Sequence, residues 1–169
     1  MKRRNAVAAI GGAAAWLAGC GAARAPATGP RWPVLSVRSL AGQASTLPAI
    51  SHAARIINIW ALWCPPCRRE LPSLERLAWM LAPGAIDVWA IALAEDGFPV
   101  REYLAQHAPG LRGAVMSPQG PAVSELGLEA LPQTFLVAPD GRVLAHWVGA
   151  REWDAQAVRD DLDRLLASS

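Results

Sequence analysis

An α/β fold is what this sequence predicts, with a mixed central sheet, helices on both of its faces and a β extension at the N-terminus. Three observations carry that expectation. Arg55 to Leu62 and Ile86 to Leu93 are almost wholly apolar runs of strand length, the pattern of strands covered on both sides. Between them Leu71, Leu74, Leu77, Ala78 and Leu81 recur at helical spacing until Pro83-Gly84 stops the helix. Later, Thr134 to Val137 and Val143 to Val148 bracket the turn signal Pro139-Asp140-Gly141, which predicts an antiparallel hairpin. Strand–helix alternation followed by a hairpin makes the sheet mixed.

The remaining elements fill in around these. A short alternating run from Trp32 to Leu40, then Gly42 and Thr46-Leu47, predicts strands or a hairpin where the domain begins. Val100 to His107 reads as a helix ended by Pro109-Gly110, followed by a short strand near Ala114 to Met116 and a short helix near Pro121 to Leu126. The chain closes with a helix whose apolar face is Trp153, Val158, Leu162, Leu165 and Leu166.

The first 31 residues have a different character. Lys2-Arg3-Arg4 leads into an uncharged run, Ala6 to Gly19, too short to span a bilayer comfortably, which is the form of an export signal. Its ending, Leu17-Ala18-Gly19-Cys20, resembles the bacterial lipoprotein box. Residues 1–19 are therefore expected to be a lipoprotein signal peptide, and residues 20–31 a lipidated Cys20 with a flexible linker. The ten residues Gly21 to Pro30 reach roughly 33–36 Å when extended. Residues 32–169 form the folded domain, expected to be an extracytoplasmic, membrane-anchored lipoprotein on the periplasmic side.

Chain length fits one domain, and a hydrophobic content of 53% with eight tryptophans supports a substantial core. The formal charge of +2 includes the three leader cations; beyond them 13 arginines face 14 acids, a net of −1. That balance, with no basic cluster, argues against a nucleic-acid partner.

With Cys20 lipidated, Cys64 and Cys67 remain as the only thiols, spaced C-x-x-C between an apolar strand and a helix. A bridge closing so small a loop restricts the unfolded chain little, so a purely structural role is weak. A metal site needs about two further ligands, and His52, His107 and His146 show no ligand spacing, so no metal is expected. Cys64 precedes Pro65, which pushes it to extended backbone and places Pro65 in the first turn of the helix. Cys64 then lies at the positive end of the helix dipole, favouring its thiolate as nucleophile, with Cys67 as the resolving thiol.

These residues carry a resemblance. Trp60-Ala61-Leu62-Trp63-Cys64-Pro65-Pro66-Cys67-Arg68-Arg69-Glu70-Leu71-Pro72 resembles the active-site segment of thioredoxin-fold thiol–disulfide oxidoreductases, in the membrane-tethered TlpA/ResA-like branch that includes cytochrome c maturation reductases. The similarity runs from about Trp32 to the C-terminus. It implies a thioredoxin-like fold, a kink of the active-site helix at Pro72 and a cis-proline in Leu131-Pro132-Gln133-Thr134-Phe135. On composition alone a trans loop proline is expected, since only about 5–6% of X–Pro bonds in folded proteins are cis. In such proteins this loop faces the C-x-x-C and pairs its backbone with an extended substrate segment, so Pro132 and Leu131 are expected at the substrate.

Glu95 is the expected proton-transfer residue. It lies just past the carboxyl end of Ile86 to Leu93, as Cys64 lies past that of Arg55 to Leu62, and such ends converge in an open α/β sheet. A partly buried carboxylate there would have a raised pKa and could exchange a proton with Cys67, with neighbouring Asp96 as the rival. Thioredoxins proper usually carry a buried aspartate where this chain has Asn58, which cannot ionise. Trp63 is expected as an apolar lid and substrate contact, and Trp60 as core; Trp79, Trp89 and Trp147 are expected to pack.

The expectation is thus a protein-disulfide reductase that works through the Cys64/Cys67 redox disulfide and needs no cofactor. Its expected partners are protein thiols and disulfides and a membrane electron donor of the thiol–disulfide exchange type, and a monomer is expected. A copper carrier using the C-x-x-C and one histidine is the rival from another class, and an oxidase-direction catalyst the rival within the same class.

Overall fold

The computed structural model describes residues 29–81 and 84–167. The predicted signal peptide, Cys20 and most of the linker lie outside the described residues. In chain order the elements are β1 (Leu35–Ser39), β2 (Ala44–Leu47), β3 (Ala54–Trp60), α1 (Pro65–Met80), β4 (Ile86–Leu93), α2 (Gly97–His107), β5 (Arg112–Met116), α3 (Pro121–Glu125), β6 (Gln133–Val137), β7 (Val143–Val148) and α4 (Gln156–Ala167). One seven-stranded sheet runs β2-β1-β5-β4-β3-β6-β7. Its central pairs β3/β4 and β4/β5 are parallel, and β3/β6, β6/β7, β1/β5 and β1/β2 are antiparallel, which makes the sheet mixed as expected. The β1–β2 hairpin is the N-terminal β extension, joined to the sheet through β5.

Register shows how the layers are arranged. Side chains directly opposite one another share a face of the sheet. Asn58 pairs with Ala90 and Thr134, Ala90 with Gly113, and Thr134 with Trp147, so these residues share one face. α1 reaches that face through Glu70 on Asn58, α2 through Leu104 over Gly113, and the segment entering α4 through Trp153 against Trp147. A Cβ on Gly113 would stand 2.7 Å from Leu104 and from Leu40, so the absent side chain allows α2 to approach. The opposite face carries Ile57, Phe135 and His146, and Trp32 packs edge-on to Phe135 there, with Leu126 after α3 lining the same hollow. Both faces are covered, but unequally.

Several boundaries differ from the sequence reading. β3 ends at Trp60 rather than Leu62, because Ala61 starts a turn whose carbonyl accepts the Cys64 N–H (3.1 Å). α2 starts at Gly97, three residues earlier than expected, because the Asp96 carboxylate caps it by accepting from the Phe98 N–H (2.9 Å). Among the described residues, Pro30 already joins the paired backbone, its carbonyl accepting from the Val143 N–H (2.9 Å). Trp153 precedes α4 instead of belonging to it, because its backbone and indole N–H groups are both bonded to α1. Trp79 is exposed rather than packed, whereas Trp60 is fully buried, as expected. Pro72 lies inside α1, where it removes one N–H from the ladder, and the helix continues through all 16 residues.

β3 is the hub, with all seven residues buried. Arg55 is the costly member, a guanidinium at 1% exposure whose pKa burial pushes below its ordinary value. Its two terminal nitrogens donate to the Pro48 and Ala49 carbonyls (2.6 and 2.7 Å), pinning the loop that enters β3. Arg55→Ala removes both charge-assisted bonds and should lower the urea-unfolding free energy by about 2–3 kcal/mol. Arg55→Lys should recover less than half of that, since one ammonium cannot reproduce the two-pronged contact.

Candidate active site

The two sulfurs sit where β3 hands over to α1. Cys64 is the N-cap of α1, in extended backbone, with Pro65 and Pro66 filling the first turn where their missing N–H groups leave no helical bond unmade. Cys64 and Cys67 are joined by a disulfide with Cα atoms 5.3 Å apart. The Cys67 N–H donates to Cys64 Sγ (3.3 Å), so a backbone donor at the positive helix end already points at the sulfur that would carry charge after reduction. Cys67 is fully buried and Cys64 retains 4% exposure, so attack from outside meets Cys64 first.

One turn further along α1 lies a carboxylate that the sequence reading passed over. Glu70 is 2% exposed, three residues after Cys67, and on a helix i and i+3 side chains are neighbours. Asn58 Nδ2 donates to Glu70 Oε1 (2.7 Å); the Arg151 N–H and the Trp153 indole N–H donate to Oε2 (3.1 and 3.0 Å). Asn58 Nδ2 also donates to Thr134 Oγ1 (2.8 Å), so both amide protons are used and the amide is oriented with nitrogen toward the carboxylate. Burial pushes the Glu70 carboxyl above the usual carboxylate value, opposed by the bonds from Asn58, Arg151 and Trp153 and by the Arg151 charge. Spacing was the available signal. Glu70 falls on the same helical stripe as Cys67, Leu71 and Leu74, where an exposed charge would not fit.

Glu95 does not match its expected role. It does lie past the end of β4, at the same end of the sheet as Cys64, because Trp60 pairs with Ala92. Its side chain is 61% exposed, however, and it is held by the Ser117 hydroxyl (2.5 Å) and by Arg38. The Ser117 bond, helped by Arg38, keeps its carboxyl below the ordinary value, the opposite of the expected shift. The acid that burial raises is Glu70, because α1 rather than the β4 loop closes over the sheet here. Asp96 is committed to capping α2.

The Leu131–Pro132 peptide is cis, as the resemblance implies. Ile59 pairs with Gln133, so Pro132 stands at the same end of the sheet as Cys64, with Leu131 half-buried beside it. Trp63 is 71% exposed next to the disulfide, open as a contact surface. Among the described residues no group of three or more His, Cys, Asp or Glu side chains is arranged to hold a metal. Among the same residues no helix is long and apolar enough to cross a membrane.

Comparison with known proteins gives the family and the fold. A model of the Redoxin family matches residues 27–166. The chain belongs to the Redoxin family. Among curated relatives, a thiol:disulfide interchange protein DsbE homolog of Paracoccus denitrificans is 28% identical over 116 residues, 68% of this chain and 62% of the relative. The thiol:disulfide interchange protein CycY of Rhizobium leguminosarum bv. viciae is 31% identical over 114 residues, 64% of this chain and 60% of the relative. The chain thus spans about three fifths of the length of these two relatives. Among solved structures, a Chlorobium tepidum protein assigned as DsbE superposes with a TM-score of 0.69 at 24% identity, covering 81% of this chain and 96% of that one. The thioredoxin domain of a Bacteroides vulgatus thiol-disulfide oxidoreductase does so with a TM-score of 0.68 at 14% identity, covering 83% and 99%. The Redoxin chain therefore has a thioredoxin-like fold.

The raised Glu70 pKa predicts a pH signature. The native state holds that proton more tightly than the unfolded chain, so stability should fall as pH rises from about 4.3, the unfolded value, through the native pKa. Glu95, Asp140 and Asp154 act in the opposite sense and in a lower window, because their native pKa values lie below the ordinary ones. Thermal melts of Glu70→Gln between about pH 4 and about pH 8 should therefore show a flatter profile than the parent protein.

Proposed function

We propose that this protein catalyses thiol–disulfide exchange on protein substrates through Cys64 and Cys67, in the reducing direction, and serves cytochrome c maturation or a similar thiol-reducing task. The observation that carries the reading is the disulfide at the N-terminus of α1, with a backbone N–H on Cys64 Sγ and a buried carboxylate one turn beyond Cys67. The names of the DsbE and CycY relatives support it.

The steps follow from the geometry. In the reduced protein the Cys64 thiolate attacks one sulfur of a substrate disulfide, and the other substrate sulfur leaves as a thiolate. Glu70 then takes the proton from the Cys67 thiol, and Cys67 attacks Cys64 Sγ, expelling the second substrate thiolate and re-forming the Cys64–Cys67 bridge. The two electrons pass through sulfur alone, so no bound cofactor is required. Regeneration reverses the sequence. A dithiol donor attacks Cys64, the more exposed sulfur, and Cys67 departs with a proton from Glu70. The reading places the domain outside the cytoplasm, tethered through a lipidated Cys20 and re-reduced by a membrane thiol donor. Trp63, Leu131 and the cis-Pro132 segment form the surface against which the substrate backbone lies.

Cys67→Ala should leave a stable mixed disulfide on Cys64, which can be isolated and the attached protein identified. Recovery of apocytochrome c would support the maturation role; recovery of other cysteine proteins would redirect it. Glu70→Gln should slow resolution of the mixed disulfide about 100-fold at neutral pH while leaving its formation within a few-fold. Stopped-flow chemistry with a peptide disulfide reads both steps.

A further inference from the structure

Four of the seven tryptophans beyond the leader place their indole nitrogens deep in the protein, and only one of those is put to polar use. Trp32, Trp60 and Trp89 leave buried Nε1 atoms without a hydrogen-bond partner. Trp153, also fully buried, donates its Nε1–H to Glu70 Oε2 at 3.0 Å. Packing alone does not require that bond, as the other three show.

The turn that carries Trp153 is fastened to α1 at two levels. The Arg151 N–H shares Glu70 Oε2 with the indole, at 3.1 Å. The Trp153 backbone N–H donates to Ser73 Oγ (3.1 Å), and Ser73 Oγ–H in turn donates to the Glu70 carbonyl (2.8 Å). Trp153 also packs edge-on to Trp147 (5.6 Å), which fixes the direction of its N–H. With Asn58 on Oε1, the buried carboxylate receives three donors from two separate parts of the chain, β3 and the C-terminal turn. The groups facing Glu70 are few. They are Cys67 on its own helix, uncharged Asn58 from β3, and from the C-terminal turn the Arg151 guanidinium, which lies over the Trp147 and Trp153 rings (5.4 and 5.5 Å).

We infer that Trp153 is a positioning residue for the thiol chemistry: its indole N–H holds the Glu70 carboxylate in place, and in its charged form, to receive the proton of Cys67. The inference rests on the exchange reading above and adds a residue more than eighty positions from the cysteines to its machinery. Removing the N–H while keeping an aromatic ring favours the neutral carboxylic acid, which cannot accept a proton. Loss of one charge-assisted bond corresponds to an upward displacement of about one pH unit in the inflection that Glu70 sets.

Two measurements on the full-chain protein test this. In the oxidised protein, ¹⁵N-indole NMR should show one resonance, identified by its loss in Trp153→Phe, that moves with pH along a single titration; Glu70→Gln should abolish that movement. For a peptide mixed disulfide on Cys64, the pH profile of resolution in Trp153→Phe should shift upward by about one unit while its high-pH plateau stays within a few-fold of the parent. A pH-independent Trp153 resonance, or one that titrates unchanged in Glu70→Gln, would overturn the inference. So would an unshifted resolution profile in Trp153→Phe alongside a slowed Glu70→Gln, a result that leaves the exchange reading standing. If Glu70→Gln resolves as fast as the parent, the proton role of Glu70 fails and Trp153 loses its function with it.

Discussion

One buried carboxylate ties this fold together. Glu70 takes donors from β3, from its own helix's neighbour Trp153 and from the Arg151 backbone, so the active-site helix, the central strand and the C-terminal turn meet at two oxygen atoms. An ionisable group at 2% exposure is unfavourable unless its hydrogen bonds are made, and here three are. The requirement works in both directions. Glu70 needs those donors to be buried, and the donors' own elements are held in register because Glu70 is there.

The sheet supplies the rest of the geometry. Parallel pairing of β3 with β4 and antiparallel pairing of β3 with β6 bring the ends of three strands to one edge, where Cys64 and cis-Pro132 stand close to the same level. That edge also holds Glu95, but position at an edge is not burial. With Arg38 from the N-terminal hairpin and Ser117 after β5 beside it, Glu95 becomes a surface ion pair of little energetic weight. The helix that starts at Cys64 covers the sheet and carries its own acid under cover. The buried acid therefore lies in the second turn of α1 rather than in the loop beyond β4.

Much of this was legible in the chain. The apolar runs at Arg55–Leu62 and Ile86–Leu93, the stripe through Leu71, Leu74 and Leu77 and the Pro139-Asp140-Gly141 turn are local patterns, and the elements formed where those patterns lay. The C-x-x-C and its two prolines specified an extended Cys64 and a helix starting at Pro65 because φ restriction and missing N–H groups are properties of the residues themselves. Trp153 shows the limit. Its spacing from Val158 and Leu162 suited a helix face, but two bonds to a helix some eighty residues away hold it in the turn before α4.

By itself, then, the sequence determined the element order, the mixed sheet and the pairing of the two cysteines, because each follows from periodicity, turn chemistry or spacing within a few residues. Tertiary structure alone decided which acid is buried. Glu70 and Glu95 are the same side chain in the same chain, and only the packing of α1 over Asn58, with Trp153 and Arg151 brought in from the far end, removes water from one and leaves it around the other. Desolvation is a property of a three-dimensional surrounding, and no local pattern carries it.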